Sequence, residues 1–244
     1  MRLTVIGNNG TCPARNGACS SFLVEADGRK ILIDMGNGSV AKLQNVCGLS
    51  DIDIIIISHL HFDHLADLFP FKYAIETKKY FGESIDRIRL FIPPVPQWIC
   101  NEISTHDVFD ITYISDRYIE TIDDIQLEIF KVPHLIDSFA IRLNAENKVF
   151  AYSSDCGVCD RLVQAAKDAD LFLCESTFID EEAGDVNHHM SALNAGEMAK
   201  RAGVKRLLLT HLSNPTREKA YRDEAKINFK NVSVSHILES YDIS

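Results

Sequence analysis

The chain lacks any apolar run long enough to cross a membrane, and it has no low-complexity segment, long linker or short-period repeat. A membrane-spanning helix needs about 20 consecutive apolar residues. The opening Met1-Arg2-Leu3-Thr4-Val5-Ile6-Gly7 is apolar only briefly before Asn8-Asn9-Gly10, so it reads as a first strand rather than a signal peptide. The default expectation is a cytoplasmic protein with no membrane partner. Cationic charge is also scarce: 25 Lys and Arg against 35 Asp and Glu leave a formal charge of −10. Such a chain has no global electrostatic reason to seek a polyanion, although a local basic patch can still do so. The seven cysteines are odd in number and scattered, which suits reduced thiols better than a disulfide framework. Cys156 and Cys159 form one close pair, but no second pair completes a zinc site, and they read as small residues packing where a helix starts. With 244 residues and 46% hydrophobic content, the chain can bury a large core as one domain or as two fused halves.

What is present is concentrated in Ser58-His59-Leu60-His61-Phe62-Asp63-His64, which follows the wholly apolar Ile54-Ile55-Ile56-Ile57. The β-branched run reads as a buried strand, and the four ligand-type side chains occupy the loop at its end. Three imidazoles and a carboxylate suit Zn²⁺ and its neighbours rather than Ca²⁺ or Mg²⁺. One ion needs only three or four protein ligands, so a second ion enters if the rest of the chain supplies more.

The spacing His-x-His-x-Asp-His resembles the metallo-β-lactamase superfamily, and further strand-like runs supply that family's remaining positions. His134 ends Leu127–Pro133, Asp155 ends Val149–Ser154, with Ser154 where the family has glycine, and His211 ends Leu207–Thr210. The resemblance implies that His59, His61 and His134 hold one divalent ion, that Asp63, His64 and His211 hold a second, and that Asp155 bridges them. Two such ions activate water at neutral pH and neutralise charge on the group under attack. Zn²⁺, Mn²⁺ and Fe²⁺ all suit these ligands. Asp63 is also a candidate for orienting the attacking water. The pattern along the chain is α/β, with strands near 2–7, 19–25, 29–34 and 88–92 and helices near 38–46 and 64–80. A β-rich middle covers 110–151, and helices and strands alternate from 158 to 235. Read through the resemblance, residues 1–244 form a single four-layered αββα metallo-β-lactamase sandwich.

Two stretches are similar to the tRNase Z branch of that superfamily. Leu173-Cys174-Glu175-Ser176-Thr177-Phe178 and His189-Met190-Ser191-Ala192 match the segments that place a histidine by the scissile phosphate and a glutamate behind it. The catalytic candidates are therefore His189 and Glu175, with Asp63. Gly7–Ser21 resembles the tRNase Z opening, with Arg15 and Asn16 present but a lysine missing. His188 matches no motif and reads as a solvent-facing neighbour of His189, and His106 and His236 read as ordinary loop or strand residues. The departure lies between His134 and Asp155, only 21 positions apart, where tRNase Z inserts a long tRNA-clamping arm. Here 136–143 and 148–152 read as strands joined by a compact turn at Asn144–Asn147. The expectation is a phosphodiesterase of small phosphodiester substrates, cyclic nucleotides first. The alternative is tRNA 3′-end processing, with nucleic acid bound through Lys72, Lys78 and Lys79, although these read as a solvated helix face. A non-catalytic metal-binding protein is a third reading, disfavoured by the full ligand set. Relatives are often dimers, and Leu68-Phe69-Pro70-Phe71 with Tyr73 is either a homodimer contact or, as expected, core.

Overall fold

The computed structural model describes residues 1–183 and 186–244. Its first sheet contains β1 (Arg2–Gly7), β2 (Ser21–Ala26), β3 (Arg29–Ile33), β4 (Ile54–Ile56), β5 (Ile88–Ile92) and β6 (Phe109–Tyr113). The second contains β7 (Ile119–Ile122), β8 (Ile125–Val132), β9 (Ser138–Ala145), β10 (Lys148–Tyr152), β11 (Leu171–Glu175), β12 (Leu207–Thr210) and β13 (Val232–Val234). The last strand, β14 (Ser240–Asp242), returns to pair with β1, so each sheet has seven strands. Each is built alike, from an antiparallel meander that continues into parallel strands. In the first sheet the meander is β14-β1-β2-β3 and the parallel run β3-β4-β5-β6. In the second they are β7-β8-β9-β10 and β10-β11-β12-β13.

The patterns of the strands follow from what covers them. The parallel strands β4, β11 and β12 are buried along their whole length, as expected where crossover helices cover one face and the other sheet the opposite face. Strand β8 instead alternates buried and exposed positions. Phe22, Ile33, Ile56 and Phe91 of the first sheet meet Ile129, Ile141, Phe150 and Leu208 of the second in one apolar interior. Behind the first sheet pack α1 (Ser39–Leu43), α3 (Leu68–Tyr80) and α4 (Gln97–Ile103), through Leu43, Phe71, Ile75 and Ile99. Behind the second pack α5 (Asp160–Ala165), α7 (Ala192–Ala202) and α8 (Glu218–Ala225), through Leu162, Met198 and Tyr221. Two short helices, α2 (Phe62–Leu65) and α6 (Asp180–Ala183), complete the set. The layers are helix, sheet, sheet, helix, as expected. No helix among the described residues is long and apolar enough to cross a membrane.

Several local expectations need correction. The segment after His64 is not one helix: it breaks between α2 and α3, because Met35 inserts its backbone, its N–H donating to His64 O at 2.7 Å and its carbonyl accepting from Asp67 N at 2.8 Å. The β9–β10 turn is tighter than read. Strand β9 continues to Ala145, and Glu146 and Asn147 alone turn the chain, both with positive φ (54° and 58°), as a two-residue I′ turn requires. Lys72 is not solvated; it is buried, bonded to Glu76 and 2.8 Å from Thr105 Oγ1. Lys78 pairs with Glu83 at 3.0 Å and Lys79 Nζ donates to Asp107 O at 2.9 Å. Leu68 and Phe71 are core, whereas Tyr73 is 71% exposed and Phe69 stacks on exposed Trp98.

Candidate metal centre

The site forms where strands end on one edge of the sandwich. Continuing from β4, β8, β10 and β12, the chain delivers His59, His134, Asp155 and His211 to one place, while α2 carries Asp63 and His64. His59, His61, His134 and Asp155 form one set of converging ligand atoms, and Asp63, His64, Asp155 and His211 form another, so Asp155 belongs to both. His61 Nδ1 lies 3.2 Å from His59 Nε2 and 3.2 Å from His134 Nε2. His211 Nε2 lies 3.1 Å from Asp155 Oδ2 and 3.3 Å from Asp63 Oδ2. Tetrahedral Zn–N bonds of about 2.0–2.1 Å would set neighbouring ligand atoms about 3.3 Å apart.

The donor set therefore fits a divalent ion, and two orphaned atoms say the same. His64 Nε2 and Asp155 Oδ1 are fully buried, have no hydrogen-bond partner and face each other at 3.3 Å. Buried polar groups without partners are rare and call for an explanation such as an ion. Meanwhile the outer nitrogens of His59, His64, His134 and His211 are engaged, as is usual for metal-binding histidines. His64 Nδ1–H donates to Asp34 Oδ2 at 2.7 Å, and His134 Nδ1–H to the His188 carbonyl at 2.8 Å. His59 Nδ1 has the hydroxyls of Ser58 (3.1 Å) and Ser154 (3.3 Å). His211 Nδ1–H donates to Thr177 Oγ1 at 2.8 Å, whose own hydroxyl donates to Glu175 Oε2 at 2.7 Å. The same buried glutamate accepts from His189 Nδ1 at 2.9 Å through Oε1. Glu175 thus orients both His189 and, through Thr177, His211.

Three further positions serve the site: Asp34, which has no motif of its own, and Gly10 and Thr11, which lie in the Gly7–Ser21 stretch. Asp34 is fully buried with φ of 58°, and accepts from Ser58 N (2.7 Å), Ser58 Oγ (2.8 Å) and Tyr152 OH (3.0 Å) besides His64. The available signal was its place directly after buried β3, the same strand-end position that Asp155 occupies after β10. Gly10 lies on the His211 ring so closely that a Cβ there would sit 2.7 Å from Cε1. Beyond it, Thr11 N donates to Asp63 Oδ2 at 2.6 Å. His188 is not simply a solvent-facing neighbour, since it is half-buried and its carbonyl holds His134. His106 and His236 stand outside both ligand sets, and Cys159 caps α5, its sulfur accepting from Leu162 N at 3.4 Å. Ser154, in the glycine position, has φ of 55°, a region uncommon for residues with a Cβ.

Asp34→Asn is expected to weaken metal affinity by about 10–100-fold, measured by competition with a chromophoric chelator. The change places an amide donor among groups that are all donors to Asp34. Unchanged affinity would show that His64 needs no carboxylate behind it.

The two ligand sets differ in protonation. Burial, reinforced by neighbouring imidazoles, holds His59 well below the usual histidine value, and burial also lowers His61 and His134. Burial opposes the charged form of His64 and His211 too, but Asp155 outweighs it, helped by Asp34 at His64, so His64 rises and His211 is pushed up to about 10. Asp63 is held below the usual carboxylate range, its desolvation outweighed by His211 and His64. At pH 7 the first trio is therefore neutral and ready to ligate, whereas His64 and His211 carry protons that a metal must displace. Filling the second set is expected to release protons and to tighten as pH rises; filling the first is not. Titration calorimetry in buffers of different ionisation enthalpy measures this. Equal proton release from both sets would contradict it.

The family model described as a beta-lactamase superfamily domain matches residues 29–212. The chain belongs to the metallo-β-lactamase superfamily. Among superfamily members it is 30% identical over 231 residues to the protein named Probable metallo-hydrolase YhfI of Bacillus subtilis (strain 168), covering 94% of each chain. The crystal structure of that metallo-beta-lactamase fold protein superimposes with a TM-score of 0.93 at 26% identity, covering 98% of each chain. Ribonuclease Z of Sulfolobus acidocaldarius is 26% identical over 279 residues, 93% of this chain and 94% of its own. The human tRNase Z short form shares the fold, with a TM-score of 0.80 at 22% identity over 100% of each chain. The His/Asp ligand sets and these relatives mark the chain as a metallo-hydrolase of the superfamily.

Proposed function

We propose that the protein is a dinuclear metal phosphodiesterase acting on small phosphodiesters, with cyclic nucleotides the first candidates. The observation that carries this reading is His189, set beside the ligand cluster and bonded to buried Glu175 at 2.9 Å. His59, His61 and His134 would hold one ion, Asp63, His64 and His211 the other, and Asp155 would stand between them. When bound, a pair of Zn²⁺, Mn²⁺ or Fe²⁺ ions supplies Lewis acidity toward phosphoryl oxygens and a means of activating water at neutral pH.

The remaining chemistry falls to the chain's own groups. Asp63, held by Thr11 N, would orient the attacking water. Because His189 gives its Nδ1–H to Glu175, Nε2 is the nitrogen free to pass a proton on. Burial disfavours the imidazolium of His189, but Glu175 more than offsets this and raises its pKa. As the new P–O bond forms and the ester bond breaks, His189 hands its proton to the departing alkoxide. Glu175 fixes the ring and its tautomer throughout.

The preference for a small diester over tRNA rests on the two-residue β9–β10 turn, which leaves no arm between His134 and Asp155. The engagement of Lys72, Lys78 and Lys79 by groups of the protein itself supports it. The relation to ribonuclease Z keeps tRNA 3′-end processing as the second reading. Metal-loaded protein is expected to open 3′,5′-cyclic AMP to a nucleoside monophosphate and to leave that monoester intact. Inertness toward every diester after loading would leave a non-catalytic metal-binding protein instead.

A further inference from the structure

Exposed apolar side chains mean little singly and more when they cluster. Among the described residues thirteen large hydrophobics are exposed, and five stand within three positions of a site residue: Phe62, Leu135, Ile136, Val158 and Val186. Phe62 follows His61 and Leu135 follows His134, and each is 66% exposed. Those two ligands touch, with ring centroids 5.0 Å apart, so Phe62 and Leu135 are exposed apolar neighbours, along the chain, of two side chains that meet in the cluster. The half-buried His188 ring lies 5.9 Å from His134 on its other side. Gly157 lets the remaining rim close up, since a Cβ there would come within 2.0 Å of Asn187 O, which brings Val158 to the loop that carries Val186. Among the segments that carry site residues, 57–64, 133–137, 153–159, 176–179, 186–191 and 211–214 contain no lysine or arginine, and the loop of Gly10 and Thr11 adds only Arg15.

A polynucleotide needs cations along its path to meet successive phosphates, and the segments that carry Phe62, Leu135, Val158 and His188 have none. An acyl chain is served by an enclosed apolar groove, whereas Phe62 and Leu135 are each two-thirds exposed, and the aromatic rings carried here are those of Phe62 and His188. We infer that the rim is the subsite for a planar, uncharged part of the substrate, so that the diester is one whose alcohol carries a nucleobase, with Phe62 and Leu135 setting specificity. This rests on the phosphodiesterase reading above and adds to it which half of the molecule is recognised apart from the phosphate.

The test compares kcat and KM for 3′,5′-cyclic AMP and for ribose 3′,5′-cyclic phosphate, which lacks the base. It uses wild type, Phe62→Ala, Leu135→Ala and Tyr80→Ala, an equally solvent-facing aromatic on α3 that is 85% exposed. Metal content verifies that each variant is folded. Wild type is expected to prefer the base-bearing diester by about 5- to 100-fold. Phe62→Ala is expected to lose most of that ratio through KM, Leu135→Ala to lose part of it, and Tyr80→Ala to keep it. Equal use of the two diesters by wild type, or an unchanged ratio in Phe62→Ala and Leu135→Ala, overturns the rim and leaves the phosphodiesterase reading standing. Preference for a glycerophosphodiester bearing an acyl chain overturns the nucleobase assignment. Turnover of no diester overturns the phosphodiesterase reading and this inference together.

Discussion

Asp155→Ala is expected to lower turnover at least about a thousandfold, well beyond the 10–100-fold that loss of an outer hydrogen-bonding partner brings. Asp155 is the one side chain common to both ligand sets, with Oδ2 3.1 Å from His211 Nε2 and 3.7 Å from His59 Nε2, and Oδ1 3.3 Å from His64 Nε2. Removing it leaves the imidazoles of the first set with no carboxylate among them and those of the second with Asp63 alone. Metal content should fall from two ions per chain to one at most, retained by His59, His61 and His134, which are neutral without help. The metal-free variant has its own signature. The raised values of His64 and His211 stabilise the fold at pH below about 6.5, where the unfolded imidazoles are also protonated, and that stability is lost as pH rises through the folded values. Without Asp155 most of this contribution disappears, so the variant's melting temperature should drop more at pH 6 than at alkaline pH. Mass-spectrometric metal analysis and thermal melts at two pH values check both parts. Two ions retained with undiminished turnover would mean that the sets do not share a ligand in function.

His189→Ala is the second large effect. It is expected to lower kcat by about 10²- to 10⁴-fold for diesters with alkoxide leaving groups, as loss of a general acid does, without changing metal content. An activated aryl diester, whose leaving group needs no proton, should be cleaved nearly as well as by wild type. Glu175→Gln makes the contrast. Its carboxylate accepts from Cys156 N (2.9 Å), Met190 N (3.2 Å), Thr177 Oγ1 (2.7 Å) and His189 Nδ1 (2.9 Å). It therefore supports His211 as well as His189, and this variant should lose metal affinity in addition to rate. If His189→Ala slowed both kinds of diester equally, His189 would be positioning substrate rather than donating a proton.

The convergence of these His and Asp side chains is legible because most of them follow apolar runs whose burial is readable without a partner, while His134 follows an alternating one. Ile54–Ile57, Val149–Tyr152 and Leu207–Leu209 are apolar whichever sheet they join, and the side chains just past their ends must gather at one edge. The Glu175–His189 bond is legible only through resemblance, since no periodicity links two residues fourteen positions apart. Asp34 was not foreseen, because its role depends on Ser58, His64 and Tyr152 arriving from other strands. The break between α2 and α3 was invisible for a similar reason: Met35 takes up the backbone there, and no helical signal in residues 64–80 reports a strand-end loop threading beside them. Lys72 looked like a surface cation because its burial is decided by Thr105, far along the chain.

Hydrolysis of 3′,5′-cyclic AMP and of an unprocessed tRNA by the metal-loaded protein, side by side at matched salt, tests the central claim most directly. The account predicts turnover of the cyclic nucleotide with the tRNA left intact, because the chain between His134 and Asp155 is a plain hairpin with a two-residue turn. Cleavage of the tRNA alone would contradict it, and would mean that tRNA is recognised without an arm.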